Sequence, residues 1–293
     1  MRAVFEGIVD YAGLFPPASL GMSEAVLAYG RYRSSADRSI LARFVVGASQ
    51  LDEFAAALES PDLQFHRLEP WPVSVITGAL LPQDLERIAN FQGRWESRGV
   101  CITAIEHRVA SVEQIEGVGE LISPALLRFL EVPARGPYGE LVAAIARIGA
   151  YAKVRTGGTS PELFPAAAEL TRFLLAVTTR QLPFKATAGL HHAFRGSYPL
   201  TYEPGARCFT MYGFVNVLLA TAELFRSSDG DVAQMILEED DAAAFECAPD
   251  AIAWRDQRYP SQELEWVRRH AFLSFGSCSF REPVDELRAQ AVA

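Results

Sequence analysis

The two lysines of the chain are the residues whose positions most directly suggest chemistry. The 293 residues include only Lys153 and Lys185, against twenty-five arginines, and both lysines lie in short apolar runs typical of β-strands. An ammonium group can lose its proton to become a nucleophilic amine, whereas a guanidinium group stays charged at any working pH. A composition rich in arginine and alanine accounts for the scarcity of lysine, so the hypothesis of a shared active site depends on where the two lysines stand.

Strand geometry predicts which neighbours share a face with each lysine. Alternate residues of a strand point the same way, so Arg155 lies on the side of Lys153, and Thr187 on the side of Lys185. On adjacent parallel strands about 4.8 Å apart, two inward-pointing lysines lie close together, and we expect each ammonium group to depress the pKa of the other. A neutral amine at this position attacks a carbonyl and forms a Schiff base.

The elements that position these lysines alternate along the chain. Eight apolar runs of strand length are separated by helical patterns, several of which begin at a serine such as Ser111 or at the Ser160–Pro161 pair. The strand-like runs are residues 4–9, 40–46, 73–80, 100–105, 127–132, 150–154, 184–188 and 271–275. This order predicts the α/β class and one (β/α)8 barrel domain over residues 1–293, with active-site residues at the carboxyl ends of the strands.

The longest interval, residues 191–270, is predicted to be an elaborated lid or helical insertion between the seventh and eighth strands. Its aromatic, proline-bearing segment 197–212 is interpreted as a lid or as a contact with a second subunit, and a packing appendage is the alternative. Helices are predicted over 214–225, 231–239 and 261–269. The sequence thus places a large excursion on the catalytic face.

Two motifs around the lysines resemble the class I, Schiff-base aldolase superfamily, in particular deoxyribose-phosphate aldolase. The run Lys-Val-Arg-Thr-Gly-Gly from Lys153 is similar to that family's sixth-strand motif, and Lys-Ala-Thr-Ala-Gly-Leu from Lys185 is similar to its seventh-strand motif. Shorter likenesses surround Asp10, in Val-Asp-Tyr-Ala-Gly-Leu-Phe-Pro, and the Gly-Ser-Cys-Ser run from Gly276. The likeness covers about sixty residues in four patches.

The resemblance implies a barrel lyase of carbohydrate metabolism in which Lys153 forms the Schiff base and Lys185 lowers the pKa of Lys153. It also implies an anion cradle at Gly276, Ser277 and Ser279, at a helix N-terminus. The chain departs from the family pattern where a fourth-strand aspartate is replaced by a nearby glutamate. The substrate and the reaction direction stay open for that reason.

Acidic and histidine side chains near the strand ends complete the candidate site. Glu106 is a candidate general acid or base, or a structural partner of Lys185 or Arg155, and Asp10 is a second proton-transfer candidate. Glu131, at the end of the fifth strand, is a candidate substrate-binding residue. His191 and His192 are also candidates for substrate binding, and at most one of them faces the site because adjacent side chains diverge.

Three other functions remain open on the sequence alone. A metal-dependent lyase or hydrolase would use Glu106, Glu131 and one histidine of the 191–192 pair, although no compact ligand spacing anchors such a site. An anion clamp of sugar-acid or phosphoribosyl chemistry would keep Lys153, Arg155 and Lys185 charged. A barrel that only binds a ligand is the non-enzyme alternative. No cofactor or metal is predicted.

The amino-acid composition indicates which classes of molecule the protein binds. The net charge of −9 and the pI near 5.2, without a basic run, argue against a nucleic acid partner and favour a small carbonyl compound, with or without an anionic group. No apolar stretch of membrane-spanning length or leader pattern is recognised, and the four cysteines lack paired spacing. We expect a cytoplasmic enzyme without membrane contact that forms a homo-oligomer.

Overall fold

The chain forms thirteen strands and ten α-helices within residues 2–60 and 70–292, the part that the structure, a computed structural model, describes. The strands are β1 (Val9–Tyr11), β2 (Leu41–Gly47), β3 (Trp71–Ile76), β4 (Val100–Arg108), β5 (Leu127–Glu131), β6 (Tyr151–Arg155), β7 (Phe184–Thr187), β8 (Gly196–Pro199), β9 (Cys208–Met211), β10 (Phe245–Ala248), β11 (Ala251–Trp254), β12 (Gln257–Pro260) and β13 (Phe272–Ser277). The α-helices are α1 (Met22–Arg33), α2 (Leu51–Leu58), α3 (Leu81–Trp95), α4 (Val112–Leu121), α5 (Tyr138–Arg147), α6 (Ala167–Thr179), α7 (Phe214–Arg226), α8 (Gly230–Glu238), α9 (Ser261–His270) and α10 (Arg281–Val292).

Eight parallel strands close into a barrel in the order β1, β13, β7, β6, β5, β4, β3, β2. The predicted α/β class and (β/α)8 architecture are therefore confirmed. The register places Lys153 of β6 opposite Lys185 of β7 on one side and opposite Glu131 of β5 on the other. Three of the candidate residues thus share one level of the barrel.

Apolar side chains on the outer side of the barrel pack against the helices. One continuous aromatic row joins Tyr29 of α1, Phe44 of β2, Phe54 of α2 and Phe91 of α3, with ring centroids 5.0–5.5 Å apart. Each such pair contributes about 0.5–1.5 kcal/mol beyond the burial of apolar area. This packing fixes the strands from outside and leaves the barrel interior free for polar side chains.

The first strand was placed wrongly by the apolar pattern. Residues 4–9 do not form a strand, because Arg2–Phe5 is a short 3₁₀ helix and β1 begins only at Val9. Val4 and Phe5 are buried, and the Val4 carbonyl accepts a hydrogen bond from Arg268 of α9. A short segment buried on all sides has the same apolar composition in either conformation, which periodicity cannot distinguish.

Other element boundaries also differ from the predictions. The run 73–80 is a strand only as far as Ile76, because the chain then turns and α3 begins at Leu81. Ser111 caps α4 as predicted, and its hydroxyl accepts a hydrogen bond from the Gln114 amide. Pro161 starts only a three-residue 3₁₀ helix, and α6 begins later, at Ala167. None of the helices in the described ranges is both long and apolar enough to cross a membrane.

The excursion between β7 and β13 contains the three predicted helices, as α7, α8 and α9, together with two small sheets that the sequence did not predict. Strands β8 and β9 form an antiparallel hairpin, and β10, β11 and β12 form a three-stranded antiparallel sheet. Helix α7 is buried along nearly its whole length and packs against α6, α9 and β13. It is therefore part of the barrel wall, and the hairpin covers the carboxyl-terminal side. A lid function for the hairpin stays a prediction.

Candidate active site

Both lysines reach the same carboxylate inside the barrel. Lys153 Nζ lies 2.8 Å from Glu106 Oε2, and Lys185 Nζ donates a hydrogen bond of 2.5 Å to Glu106 Oε1. Glu106 projects from the inward face of β4, near the carboxyl end of the strand. The carboxylate thus stands between the two ammonium groups and keeps both charges paired.

The ion pairs continue on either side to form an alternating row of five charges. Lys185 Nζ also lies 2.6 Å from Asp10 Oδ2, and Lys153 Nζ also lies 2.7 Å from Glu131 Oε2. In order, the row is Asp10, Lys185, Glu106, Lys153 and Glu131, and all five side chains are buried. The alternation places each buried charge beside at least one charge of opposite sign, which compensates part of the cost of burying it.

Polar neighbours hold the first half of the row in place. Ser274 of β13 donates a hydrogen bond of 2.8 Å to Asp10 Oδ2, and Ser74 of β3 donates one of 2.6 Å to Glu106 Oε1. The backbone amide of Arg43 donates to Asp10 Oδ1 at 3.0 Å, and its guanidinium lies 3.3 Å from the same oxygen. These bonds orient both carboxylates toward Lys185.

At the other end, two arginines contact Glu131. Nε and Nη2 of Arg108 each lie 3.3 Å from Glu131 Oε1, and Nε of Arg155 lies 3.6 Å from the same oxygen. The second oxygen of Glu131 remains on Lys153. Glu131 therefore connects a buried lysine with two arginines that are closer to solvent.

The neighbouring carboxylates shift the pKa of Lys153 in the direction opposite to the expected depression. Burial disfavours the charged amine of Lys153, but Glu106 and Glu131 outweigh burial and raise its pKa above the ordinary value. Burial likewise opposes ionisation of Glu106, yet Lys153 and Lys185 lower its pKa. The pKa of Asp10 is lowered against its burial by Lys185 and Arg43. The expectation was wrong for Lys153 because it left out the two carboxylates beside that amine, Glu106 and Glu131.

The glycines and the threonine of the two lysine motifs bring the ends of β6 and β7 together. The Thr156 amide donates to the Thr187 carbonyl at 2.9 Å, and the Thr156 hydroxyl donates to the Ala188 carbonyl at 2.6 Å. Gly189 has a φ of 69°, and a Cβ there would lie 2.7 Å from the Gly157 Cα. The close approach of the two backbones thus requires glycine at 189 and fixes the spacing beyond the lysines.

Two cavities meet at Lys153. One of about 400 Å³ is lined by both lysines, by Arg155 and Thr187, and by Gly276. The other, of about 710 Å³, opens between the ends of β3 and β4 and is also lined by Lys153. Lys185 does not line this larger cavity and is fully buried. Of the two lysines, Lys153 is the one that lines both cavities.

The predicted anion cradle is occupied by contacts within the protein. The Ser277 hydroxyl donates to the Ser279 carbonyl at 2.6 Å and lies 3.0 Å from His191 Nδ1. The Ser279 hydroxyl accepts from the Glu282 amide at the start of α10. Gly276 lines the cavity of 400 Å³, whereas Ser277 and Ser279 are not among its lining residues. The turn contributes its glycine to the cavity and uses its hydroxyls to cap and brace α10.

The adjacent histidines point in different directions. His191 is buried and lines the cavity of 400 Å³, and burial lowers its pKa to about 4. His192 stacks on Tyr198 of β8 with ring centroids 3.4 Å apart, and its Nδ1 lies 2.6 Å from Glu286 Oε1. His192 therefore anchors the hairpin to α10, and His191 presents a neutral ring to the cavity at neutral pH.

The buried ring of His191 predicts a pH-dependent stability. Because the unfolded chain binds a proton near pH 6.5 and the folded chain only near pH 4, stability is fully present above about pH 6.5 and is lost progressively as the pH falls toward 4, by roughly 2–3 kcal/mol. In His191→Gln this loss is expected to be absent from the free energy of unfolding measured by urea titration between pH 7 and pH 4.5. His270→Gln, at an exposed ring, is the matched control and retains the wild-type slope.

Sequence reasoning missed four residues of the site, namely Arg43, Arg108, Ser74 and Ser274. Arg43 lies inside an apolar strand run, the signal that singled out the lysines. Arg108 stands two residues after Glu106, on the same face of β4. The two serines carry no chemical signal in the sequence, and only the barrel register shows that they face carboxylates.

The residues of the metal alternative do not converge. Glu106 and Glu131 are both paired with Lys153, His191 contacts Ser277, and His192 contacts Glu286. Within residues 2–60 and 70–292, no group of three or more histidine, cysteine, aspartate or glutamate residues is arranged to hold a metal ion. The carboxylates of this site are instead neutralised by ammonium groups.

Comparisons with known proteins were made at three levels. No protein-family model, curated protein or solved structure matches the chain significantly. The fold and the charged row define the chain as a (β/α)8 barrel whose interior site holds two lysines and three carboxylates.

Proposed function

We propose that the protein is a Schiff-base-forming lyase or aldolase that acts on a small polar carbonyl compound, with Lys153 as the nucleophile. The observation that supports this role is the position of Lys153. Its amine borders both cavities and lies within 2.8 Å of two carboxylates that can accept its proton. Lys185 lies deeper, between Asp10 and Glu106.

The raised pKa means that the lysine is charged at rest and must transfer a proton before it reacts. In the proposed first step, the proton passes from Lys153 Nζ to Glu131 or Glu106, and the neutral amine attacks the substrate carbonyl. Protonation of the resulting hydroxyl group by the same carboxylic acid releases water and leaves a protonated imine. The protonated imine then withdraws electrons, so the adjacent carbon loses either a proton or a fragment that leaves as an aldehyde when its hydroxyl group is deprotonated. The regenerated carboxylate accepts the proton in both cases, and a neutral enamine forms.

The surrounding charges suit this sequence of steps. Proton transfer between Lys153 and a carboxylate in contact with it leaves the net charge of the buried row unchanged. The step therefore creates no uncompensated charge in a medium of low dielectric. Lys185 remains charged between Asp10 and Glu106 and holds Glu106 in place. Asp10 takes part through Lys185 as a positioning residue, and Thr187 and Gly276 line the space beside the reacting carbon.

A permanently charged anion clamp is the second candidate function, and the raised pKa of Lys153 favours it. In that case the lysines and Arg155 would bind a carboxylate or phosphate without covalent chemistry. The two functions differ in one property, which is whether a carbonyl compound becomes bonded to a lysine nitrogen.

Exchange of hydrogen at the carbon next to the carbonyl tests the proposed function. An enamine exchanges such hydrogens with solvent, so pyruvate, acetone and acetaldehyde are each incubated with the protein in deuterium oxide and followed by proton NMR. We expect loss of the methyl signal of at least one compound with wild-type protein, and background rates with Lys153→Arg. Equal rates in both proteins would contradict the proposal and favour the clamp.

The compartment and the assembly state also belong to this proposal. The four cysteines, all within the described ranges, are free thiols, which suits a reducing cytoplasm. Exposed apolar side chains such as Met235 and Trp266 are compatible with contacts in a homo-oligomer. Sedimentation of the purified protein at several concentrations measures the assembly state directly.

A further inference from the structure

We infer that Arg108 and Arg155 form a carboxylate-binding pair at the mouth of the site, and that the substrate is an oxo acid whose carboxylate they hold while its carbonyl faces Lys153. This inference rests on the proposed function and specifies its substrate class. The pair lies at the ends of β4 and β6, where a barrel places substrate-binding residues.

The two arginines already hold a carboxylate. Both converge on Glu131 Oε1, with nitrogen–oxygen distances of 3.3–3.6 Å, and both line the cavity of 400 Å³. Their side chains are 74% and 29% exposed, whereas Glu131 is buried, so a ligand can approach them from the cavity mouth. The guanidinium fork matches the planar geometry of a carboxylate, and the Glu131 carboxylate shows where such a group fits.

The charges that line the cavity also favour an anion. Arg108, Arg155, Lys153 and Lys185 contribute four positive charges, and Glu106 and Glu131 contribute two negative charges, which leaves two positive charges in excess. The remaining titratable lining residues are uncharged at neutral pH, because burial lowers the pKa of His191 to about 4 and raises the pKa of Cys278 to about 11. An excess of positive charge within a cleft attracts anions and is neutralised by one or two carboxylates.

The opposite side of the cavity lacks a comparable site for a phosphate. The hydroxyls of Ser277 and Ser279 are bonded within their own turn and to α10, and the Ser279 amide donates to Ser277 Oγ. The first turn of α10 adds Glu282, whose negative charge opposes anion binding at that helix N-terminus. The anion site therefore lies at the arginine pair, on the side of Glu131.

The position of the pair relative to Lys153 selects an oxo acid. A single carboxylate, that of Glu131, bridges Lys153 Nζ and the two guanidinium groups. A substrate carboxylate on the arginines consequently places a carbonyl carbon close to its carboxyl group within reach of the Lys153 amine. A neutral ketone reaches the same amine but gains no contact from the arginines.

Substrate binding in this arrangement also prepares the nucleophile. When the substrate carboxylate replaces Glu131 as the partner of Arg108 and Arg155, Glu131 loses the two positive charges that lower its pKa together with Lys153. The proton of Lys153 then transfers to Glu131 Oε2, and the amine lone pair becomes available for attack. A neutral ketone leaves both arginines on Glu131 and does not promote this transfer, so it reacts only with the small fraction of Lys153 that is neutral at rest.

The test compares matched carbonyl compounds on arginine variants. Pyruvate, dihydroxyacetone phosphate and acetone are presented to wild type, to Arg108→Gln, to Arg155→Gln and to the control Arg94→Gln, an exposed arginine paired with Asp52 outside the site. The rate of borohydride trapping is measured against compound concentration. For pyruvate we expect half-saturation to rise about 10- to 100-fold in each site variant and not in the control, so that the preference for pyruvate over acetone falls in both site variants and keeps its wild-type value in Arg94→Gln.

Two outcomes would overturn the carboxylate pair, and a separate measurement isolates it from the chemistry. Unchanged pyruvate trapping in both site variants contradicts the inference. Preferential trapping of dihydroxyacetone phosphate, at a rate that neither site variant changes, also contradicts it. If no compound is trapped at all, the proposed Schiff-base function fails instead. Calorimetric titration of Lys153→Arg with pyruvate then tests the arginine pair without the covalent chemistry. The inference predicts that pyruvate binds this variant and that adding Arg108→Gln weakens the binding at least about tenfold.

Discussion

Lys153→Arg is expected to lower hydrogen exchange and carbonyl trapping by at least about 10⁴-fold while the protein remains folded. The guanidinium group keeps a positive charge beside Glu106 and Glu131, so the ion pairs of the row persist. It cannot become a neutral amine, and the covalent step is lost. Exchange in deuterium oxide measures the activity, and thermal unfolding measures the integrity of the fold.

Lys153→Met is the matched partner of this variant and separates the two candidate functions. Methionine removes both the charge and the amine, whereas arginine removes only the amine. If Lys153 acts as a nucleophile, both variants are inactive and only Lys153→Met is strongly destabilised. If Lys153 acts only as a charge in a clamp, Lys153→Arg retains most ligand binding, and that result would contradict the central role of the amine.

Glu106→Gln is expected to lower the free energy of unfolding by about 3–5 kcal/mol at neutral pH, because it leaves two buried ammonium groups without the carboxylate they share. The remaining partners, Asp10 and Glu131, each retain one lysine. Activity is expected to fall by about 10²- to 10⁴-fold, since a proton acceptor is lost as well. Glu116→Gln, the same change at an exposed ion pair with Arg147, is the matched control and is expected to alter stability little.

The pH dependence of stability distinguishes lost pairing from a simple packing defect in this variant. In wild type the raised pKa of Lys153 contributes stability that is present below about pH 10.4 and is lost as the pH rises further. In Glu106→Gln the folded chain favours the neutral amine, so we expect the stability deficit to shrink as the pH approaches 10. Urea titrations at pH 7, 8.5 and 9.5 measure the deficit, and a constant deficit would contradict the ion-pair account.

The fold followed from the sequence wherever apolar runs and helical patterns alternated. Strands β4 to β7 coincide closely with their predicted runs, because each is a short apolar segment bounded by helical patterns. The prediction failed at residues 4–9, where a buried 3₁₀ helix has the composition of a strand. The sheet β10–β12 was missed because its four-residue strands lie between helices in a segment without clear alternation.

Part of the membership of the candidate site was predictable from the sequence, whereas its electrostatics were not. The motif around Lys153 and the strand-end positions of Glu106 and Glu131 identified residues that the barrel does bring together. Their pairing depends on the register between β4, β5 and β6, which no local pattern encodes. The expected depression of the Lys153 pKa was therefore reversed by two carboxylates, Glu106 and Glu131, whose positions only the fold determines.

Reductive trapping followed by peptide mapping tests the central claim most directly. The protein is treated with borohydride in the presence of pyruvate, its intact mass is measured, and the modified peptide is identified by fragmentation. With only two lysines in the chain and one N-terminal amine, the site of attachment is assigned without ambiguity. We predict one adduct, on Lys153, that is absent from Lys153→Arg. An adduct confined to Lys185, or no adduct with pyruvate or with any other small aldehyde or ketone, would contradict it.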